Sequence, residues 1–396
     1  VRAAASRGIR ECIVPRANAR EGAVIPGIRV RGAENILEIM QFLTAREAER
    51  DGLLPQTFVD TESLFAEAER DEGGFQGRPD FAEVTGQESA RRAAEIAAAG
   101  FHNLLMVGPP GAGKSMIARR IPGILPPLTL EESLEVTSVV SVAGLLEEGE
   151  ALVTQRPFRS PHHTISQAAL IGGSTVPKPG MISLAHRGVL FLDELPEFQR
   201  ASLDALRQPL EERRVTISRV SGNVTYPSDF MLVCAMNPCP CGYYPDTARC
   251  SCTRPQVNRY MGRVSGPILD RIDLCVELAP VEYESLKSRE KAESSAEIRG
   301  RVERVRQIHS ERFRGTSTRF NGVIEVSAME RYCGLGEEEQ RGMERLYASL
   351  QLSARAYHRI LRVARTIADL EGVEEIGVPH LMEASYYRPS MEYGGN

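Results

Sequence analysis

"NLLMVGPPGAGKS", residues 103–115, decides the fold. The apolar run Leu104–Val107 has the length and composition of a buried strand and stops at a glycine-rich turn. An Ala-rich segment at about Gln87–Ala99 precedes it and reads as a helix. The turn itself, Gly108-Pro109-Pro110-Gly111-Ala112-Gly113-Lys114-Ser115, satisfies G-x-x-x-x-G-K-[ST] between a predicted strand and a predicted helix. Its glycines let backbone N–H groups curl around nucleotide phosphates, and the helix N-terminus adds a favourable dipole. Lys114 is expected to reach the β- and γ-phosphates of ATP, and Ser115 to ligate Mg²⁺.

Such a loop needs an acidic partner on a neighbouring strand. "GVLFLDE", residues 188–194, delivers Asp193 and Glu194 to the carboxyl edge, where parallel sheets bind ligands. Asp193 is expected to hold Mg²⁺ and Glu194 to polarise a water as general base. The adjacent Glu argues for hydrolysis rather than binding alone. A third apolar run, "DFMLVCAMN", ends in Asn237, whose amide would lie near the γ-phosphate; the plainer alternative is a solvent-capping strand end. Short apolar strands alternating with helical segments predict an α/β fold with a parallel sheet.

Working outward, 396 residues predict two or three domains. Hydrophobic content of 42% and charged content of 26% are ordinary for a globular protein. No apolar run has membrane-spanning length and the start has no hydrophobic signal core, so the expectation is a soluble, cytoplasmic protein without membrane partners. The net charge of −5 confines any nucleic-acid binding to a local patch. Residues 1–50 carry short pieces without a complete unit, as if beginning partway through a domain, and 51–79 is rich in acid, Gly and Pro and reads as a linker. Residues 80–284 form the expected α/β core and 285–396 a helical region. There "AEIRGRVERVRQIHSERF" and "SARAYHRILRVARTIADLEG" repeat apolar residues at i, i+3, i+4 and i+7.

With these motifs the chain resembles the AAA+ ATPases, in which a polar residue at the position of Asn237 is called sensor 1. "GPILDRIDLCVEL" is similar to the AAA+ segment whose arginine enters the neighbouring subunit's ATP site, and Arg271 is the match. A guanidinium there would offset charge developing in the transition state. "LSARAYHRILRVARTI" resembles the sensor 2 segment, with Arg355 as its match. For either arginine the alternative is a surface salt bridge. The long insertion at residues 156–198, with "AMNPCPCGYY", "CSCTRPQVNRY" and "SGPILDRIDL", narrows the resemblance to the ComM-type, Mg-chelatase-like family, from about residue 8 to about residue 390. That resemblance implies a homo-oligomeric, hexameric ring and a Lon-protease-like N-terminal domain. Residues 1–50 look like its closing portion, with no Ser-Lys dyad and no expected protease activity.

Four of the eight cysteines fall together as Cys239-x-Cys241 and Cys250-x-Cys252. Four soft thiolates suffice for a tetrahedral, structural Zn²⁺ site, with metal-free thiols as the alternative. His162, His163 and His186 fit no ligand pattern and read as packed or solvated imidazoles. Between Asp246 and Asp270 lie Arg249, Arg254, Arg259 and Arg263 and no acid; two hairpin-like insertions carry Lys178, and Arg213, Arg214 and Arg219. Lys178, Arg219, Arg254 and Arg259 are therefore the candidates for DNA phosphates, against the alternative of a solvated basic surface. The resemblance implies a DNA motor driving branch migration or unwinding in competence and recombination. The rival readings are a chelatase-type ATPase remodelling a protein partner for metal insertion, and a regulatory scaffold with little turnover.

Overall fold

The computed structural model describes residues 1–70, 79–147, 149–173, 178–219, 222–280 and 292–388. The tips of both expected hairpins (174–177 and 220–221), part of the expected linker (71–78), the expected boundary at 284–285 and the end from 389 lie outside them. Among the described residues no helix is long and apolar enough to cross a membrane. The chain divides into two compact units: residues 1–77 with 127–156, and 78–126 with 157–396.

In the first unit, β1 (Glu11–Pro15) and β2 (Arg29–Ala33) pair in parallel. The helix Ala19–Ala23 lies between them in sequence, and the helix Ile36–Thr44 starts where Asn35 accepts the Glu38 N–H. Residues 127–156 group here by packing. The physical reason is apolar burial: Val24, Ala151 and Leu152 close a core with Val59, Phe65, Leu130 and Leu134. The helix Leu130–Ala143 is fixed at its start by a Thr129/Glu132 capping box and stopped by left-handed Gly144 (φ 75°). The stretch read as a linker carries the end of one helix (Glu47–Leu53) and a further helix, Thr61–Arg70. Its Leu64 and Phe65 pack on that same core, a tertiary gain that composition does not reveal.

In the second unit, β3 (Leu104–Val107), β4 (Phe158–Arg159), β5 (Val189–Leu192), β8 (Met231–Met236) and β9 (Leu274–Glu277) form one sheet in the order β4-β5-β8-β3-β9. Every pairing is parallel. β6 (Arg214–Arg219) and β7 (Gly222–Pro227) make a separate antiparallel hairpin. The sheet is buried on both faces, as parallel sheets require. Leu104, Met106, Val189 and Phe191 pack on one side, with the helices Glu88–Gly100 and Lys114–Ile124. Leu105, Val107, Leu190 and Leu192 pack on the other. Because β8 lies between β3 and β5, the carboxyl ends that deliver the glycine loop, Asn237 and the Asp193-Glu194 pair are neighbours.

The C-terminal part is helical, as its periodicity predicts: Ser295–Arg312, Glu337–Leu350, Ala354–Glu371 and Val378–Tyr386. In Ala354–Glu371 the buried Ile360, Val363, Ala364 and Ile367 repeat at i, i+3, i+4 and i+7. Burying each of the larger three contributes about 1.5–3 kcal/mol, so packing rather than propensity holds this helix. Its buried Asp369 accepts from Arg312 (2.5 and 2.6 Å) and from Asn321 (2.7 Å).

Candidate active site

The glycine loop has the backbone its spacing requires. Gly111 and Gly113 have φ of +79° and +90°, open to glycine at no steric cost. A side chain at Gly108 would stand 2.7 Å from the Leu278 carbonyl oxygen. Position 108 therefore admits only glycine, because the loop starts hard against the segment after β9. Lys114 opens the helix Lys114–Ile124, and its Nζ donates to the carbonyls of Gly108 (2.6 Å) and Pro109 (2.9 Å) and to Asn237 Oδ1 (3.1 Å). Burial pushes this ammonium's pKa down, and the Asp193 carboxylate partly offsets it. Ser115 Oγ donates to Asp193 Oδ2 at 2.6 Å, pairing the hydroxyl and carboxylate that would hold a magnesium ion.

Glu194 leaves β5 in a left-handed conformation (φ 52°, ψ 47°), its N–H donating to Asp193 Oδ1 at 3.0 Å. Its carboxylate is 58% exposed and lies 3.3 Å from His163 Nδ1. His163 in turn lies against His162, tilted by 35° with 4.0 Å between centroids, and meets Phe198 edge-on. The reading of the histidines as packed or solvated therefore omits His163, which belongs to the acidic pair's surroundings. His186 does pack: it is buried, and its Nδ1 accepts the Asp229 N–H. A second residue outside the sequence prediction is Gln87, whose Nε2 donates to the carbonyls of Ala112 (3.2 Å) and Ala279 (2.6 Å), tying the loop to the segment after β9. Neither carries a local motif. The one signal for His163 is its place just after β4, a strand whose pairing with β5 is long-range.

The two arginines lie together, away from these groups. Arg355, 70% exposed, donates to Asp270 Oδ2 at 2.8 Å, and Arg271 follows that aspartate. Arg271 Nη1 donates to the Pro267 carbonyl (2.5 Å), Nη2 pairs with Glu211, and Nε is buried without a partner. Among the described residues neither arginine makes a hydrogen bond or ion pair to its own chain's glycine loop or acidic pair.

The cysteines do converge. Sulfur separations are 3.3 Å for Cys239–Cys241, 3.8 Å for Cys239–Cys250 and 3.6 Å for Cys241–Cys250, and all four sulfurs, Cys252 included, lie within 4.8 Å of one another. A tetrahedral Zn–S distance of about 2.3 Å places sulfurs about 3.8 Å apart, so the set fits the ion. The Tyr243 backbone N–H brings the Cys241 thiol down to about 6. Cys250 feels the Cys252 backbone N–H pulling the other way, yet burial and the neighbouring thiols push it up to about 12. Like charges so close cannot all ionise without a cation between them.

Of the DNA candidates, Lys178 is exposed beside the Gly172–Pro179 bridge. Arg219 is in β6, its side chain outside the described residues. Arg254 and Arg259 are exposed on the helix Arg254–Met261. Arg259 lines a cleft of about 430 Å³ with Arg200, Arg263, Glu197 and Phe198. Lys178 and Arg254 do not line it.

A parallel sheet presenting a phosphate loop, an acidic pair and a polar strand end along one edge, with a helical region after it, defines a P-loop ATPase of AAA+ architecture. The family described as "Magnesium chelatase, subunit ChlI" matches residues 80–286, and "Magnesium chelatase, subunit ChlI C-terminal" matches 292–388. The chain belongs to this Mg-chelatase-like family of AAA+ ATPases and is of the ComM type within it. It is 44% identical over 390 residues to "Competence protein ComM" of Haemophilus influenzae, covering 97% of this chain and 73% of that protein. It is 46% identical over 311 residues to YifB of Salmonella typhimurium, covering 78% of this chain and 60% of that protein. It is 26% identical over 212 residues to the "Magnesium-chelatase 67 kDa subunit" of Chlorobaculum parvum, covering 52% of this chain and 28% of that protein.

Proposed function

We propose that the protein is an ATP-driven ring motor that acts on DNA, as a branch-migration or unwinding enzyme. One observation carries the hydrolytic half. Along one sheet edge Lys114 bonds Asn237 and Ser115 bonds Asp193, and Glu194 follows Asp193 with its backbone N–H on that carboxylate. In this reading the loop and Lys114 hold the triphosphate, and Ser115 and Asp193 would hold magnesium, which neutralises phosphate charge. Glu194 takes the proton of the attacking water, and Asn237 orients that water. Arg271 serves a neighbouring chain's nucleotide in a homo-oligomeric, hexameric ring, and Arg355 is the sensor 2 residue of the helical region. The DNA half is supported by the likeness to a competence protein and by the exposed arginines about the Arg259 cleft. We assign the four cysteines to a structural zinc.

The chelatase-type reading has its own support in the family's description and in the weaker likeness to a magnesium-chelatase subunit. ATPase turnover separates the two. Stimulation by single-stranded or branched DNA is expected here, and stimulation by a protein partner alone would favour the chelatase. Glu194→Gln should retain ATP and lose hydrolysis and DNA unwinding by about 10²–10⁴-fold. Wild-type hydrolysis by that variant would remove Glu194 from the role of base.

A further inference from the structure

Gly242 stands between the cysteine cluster and the nucleotide loop and is pinned by the first. Its N–H donates to the Cys239 carbonyl at 3.0 Å and to Cys239 Sγ at 3.2 Å, closing the turn that begins at Cys239. The Tyr244 N–H donates to the same sulfur at 3.4 Å. Its φ of +89° is one that L side chains rarely adopt. On its other side, a side chain at 242 would lie 2.5 Å from Cδ and 2.8 Å from Cγ of Pro110, and 3.8 Å from Asn237 Cγ. Pro110 belongs to the phosphate loop, and Asn237 accepts from Lys114 Nζ. The backbone of the cysteine turn is thus pressed directly on the nucleotide loop. Both walls face one cavity of about 340 Å³, lined by Gly108, Pro109, Gly242, Tyr243, Tyr244 and Glu277 among others.

We propose that the four-cysteine centre, loaded with a zinc-class ion, braces the phosphate loop and Asn237, so that nucleotide binding depends on metal loading. The inference rests on the zinc assignment above. An ion fixes the sulfur that anchors Gly242 and Tyr244. Without it the close-set sulfurs separate, the Tyr244 N–H loses its sulfur acceptor and Gly242 keeps only the Cys239 carbonyl, so the turn backs Pro110 less rigidly. A misplacement of the order of 1 Å in such a loop is costly in function. By reciprocity, nucleotide must tighten metal binding by the factor by which metal tightens nucleotide.

The test measures three quantities on the full chain: zinc content, affinity for a fluorescent ADP analogue, and zinc affinity in competition with a chromogenic chelator. The purified protein should carry about one zinc per chain. Stripping the zinc should weaken ADP binding about tenfold or more, and returning it should restore the affinity. Gly242→Ala should keep its zinc and bind ADP comparably weakly. Saturating ADP should tighten zinc binding about tenfold in the unaltered protein, an arm that needs neither stripped nor variant chains. Absence of bound metal in wild type would overturn the zinc assignment and this inference with it. Zinc held equally tightly with and without ADP would overturn the coupling alone and leave the zinc standing. So would a Gly242→Ala chain that keeps its zinc and binds ADP as tightly as wild type.

Discussion

The carboxyl edge of the sheet and the arginine edge use polar side chains in opposite ways. At the first, Lys114, Ser115, Asp193 and Asn237 all find partners within the chain. At the second, Arg355 is largely solvated and Arg271 keeps Nε buried with no acceptor. An unmatched buried donor costs about 1–3 kcal/mol, a cost that Arg271 shares with Arg91 and Arg207. The difference lies in the partners: the cradle residues bond to one another, and the two arginines bond to Asp270, Glu211 and the Pro267 carbonyl instead.

The harshest way to break the comparison is at its closed end. Lys114→Ala should abolish nucleotide binding, because the phosphates lose their principal cation while the fold keeps its sheet. Equilibrium binding of an ATP analogue checks it, and near-normal affinity would mean the loop does not hold phosphates. Arg271→Ala probes the open end. It should bind ATP almost normally and hydrolyse it about 10³-fold more slowly. Mixing Arg271→Ala with Lys114→Ala chains should recover activity at interfaces that join the two intact halves. A lowered melting temperature with no recovery would assign Arg271 to its Glu211 pair instead.

How much of this was legible in the sequence follows from how local each signal is. The glycine loop, the Asp193-Glu194 strand end, Asn237 and the cysteine pairs are each written within a dozen residues, and strand period and helix spacing supply the α/β class and the helical region. His163 and Gln87 were not legible because their partners depend on which strands become neighbours. The order β4-β5-β8-β3-β9 is a property of the whole chain. The packing of residues 127–156 was out of reach for the same reason: Leu130 and Leu134 have the pattern of any amphipathic helix, and nothing in that pattern names Val24 and Val59 as what they cover.

A smaller effect sharpens the contrast with a third polar cluster, built around the buried Asp369. Burial alone would raise the pKa of Asp369, but the hydrogen bonds from Arg312, with His309 and Arg365 beside it, hold it far below the usual carboxylate range. A carboxylate depressed in the folded state adds stability that is fully present above its unfolded pKa of about 4 and is lost progressively as the pH falls from there through its much lower folded pKa. Asp369→Asn should therefore cost about 3–5 kcal/mol at pH 7 and somewhat less at pH 3, where only part of that stability has gone. Denaturant melts at the two pH values decide it, and an equal loss at both would show that the carboxylate's charge is not what holds the helices.

The smallest effect concerns His163. Glu194 is more than half exposed and has the His163 imidazole 3.3 Å from its carboxylate, so the ring limits where the carboxylate can point. His163 touches neither Lys114 nor Ser115 among the described contacts, so its loss should spare ATP affinity. His163→Ala should then lower kcat about threefold to tenfold with KM unchanged, the signature of a residue that orients the base rather than binds substrate. His163→Gln, which keeps a donor near the same place, should recover part of the loss. Steady-state kinetics on the two variants separate the possibilities. A raised kcat in His163→Ala would mean that the imidazole holds Glu194 back from the reacting water instead of presenting it. A raised KM would move His163 into the nucleotide cradle itself, and the closed edge of the sheet would extend as far as β4.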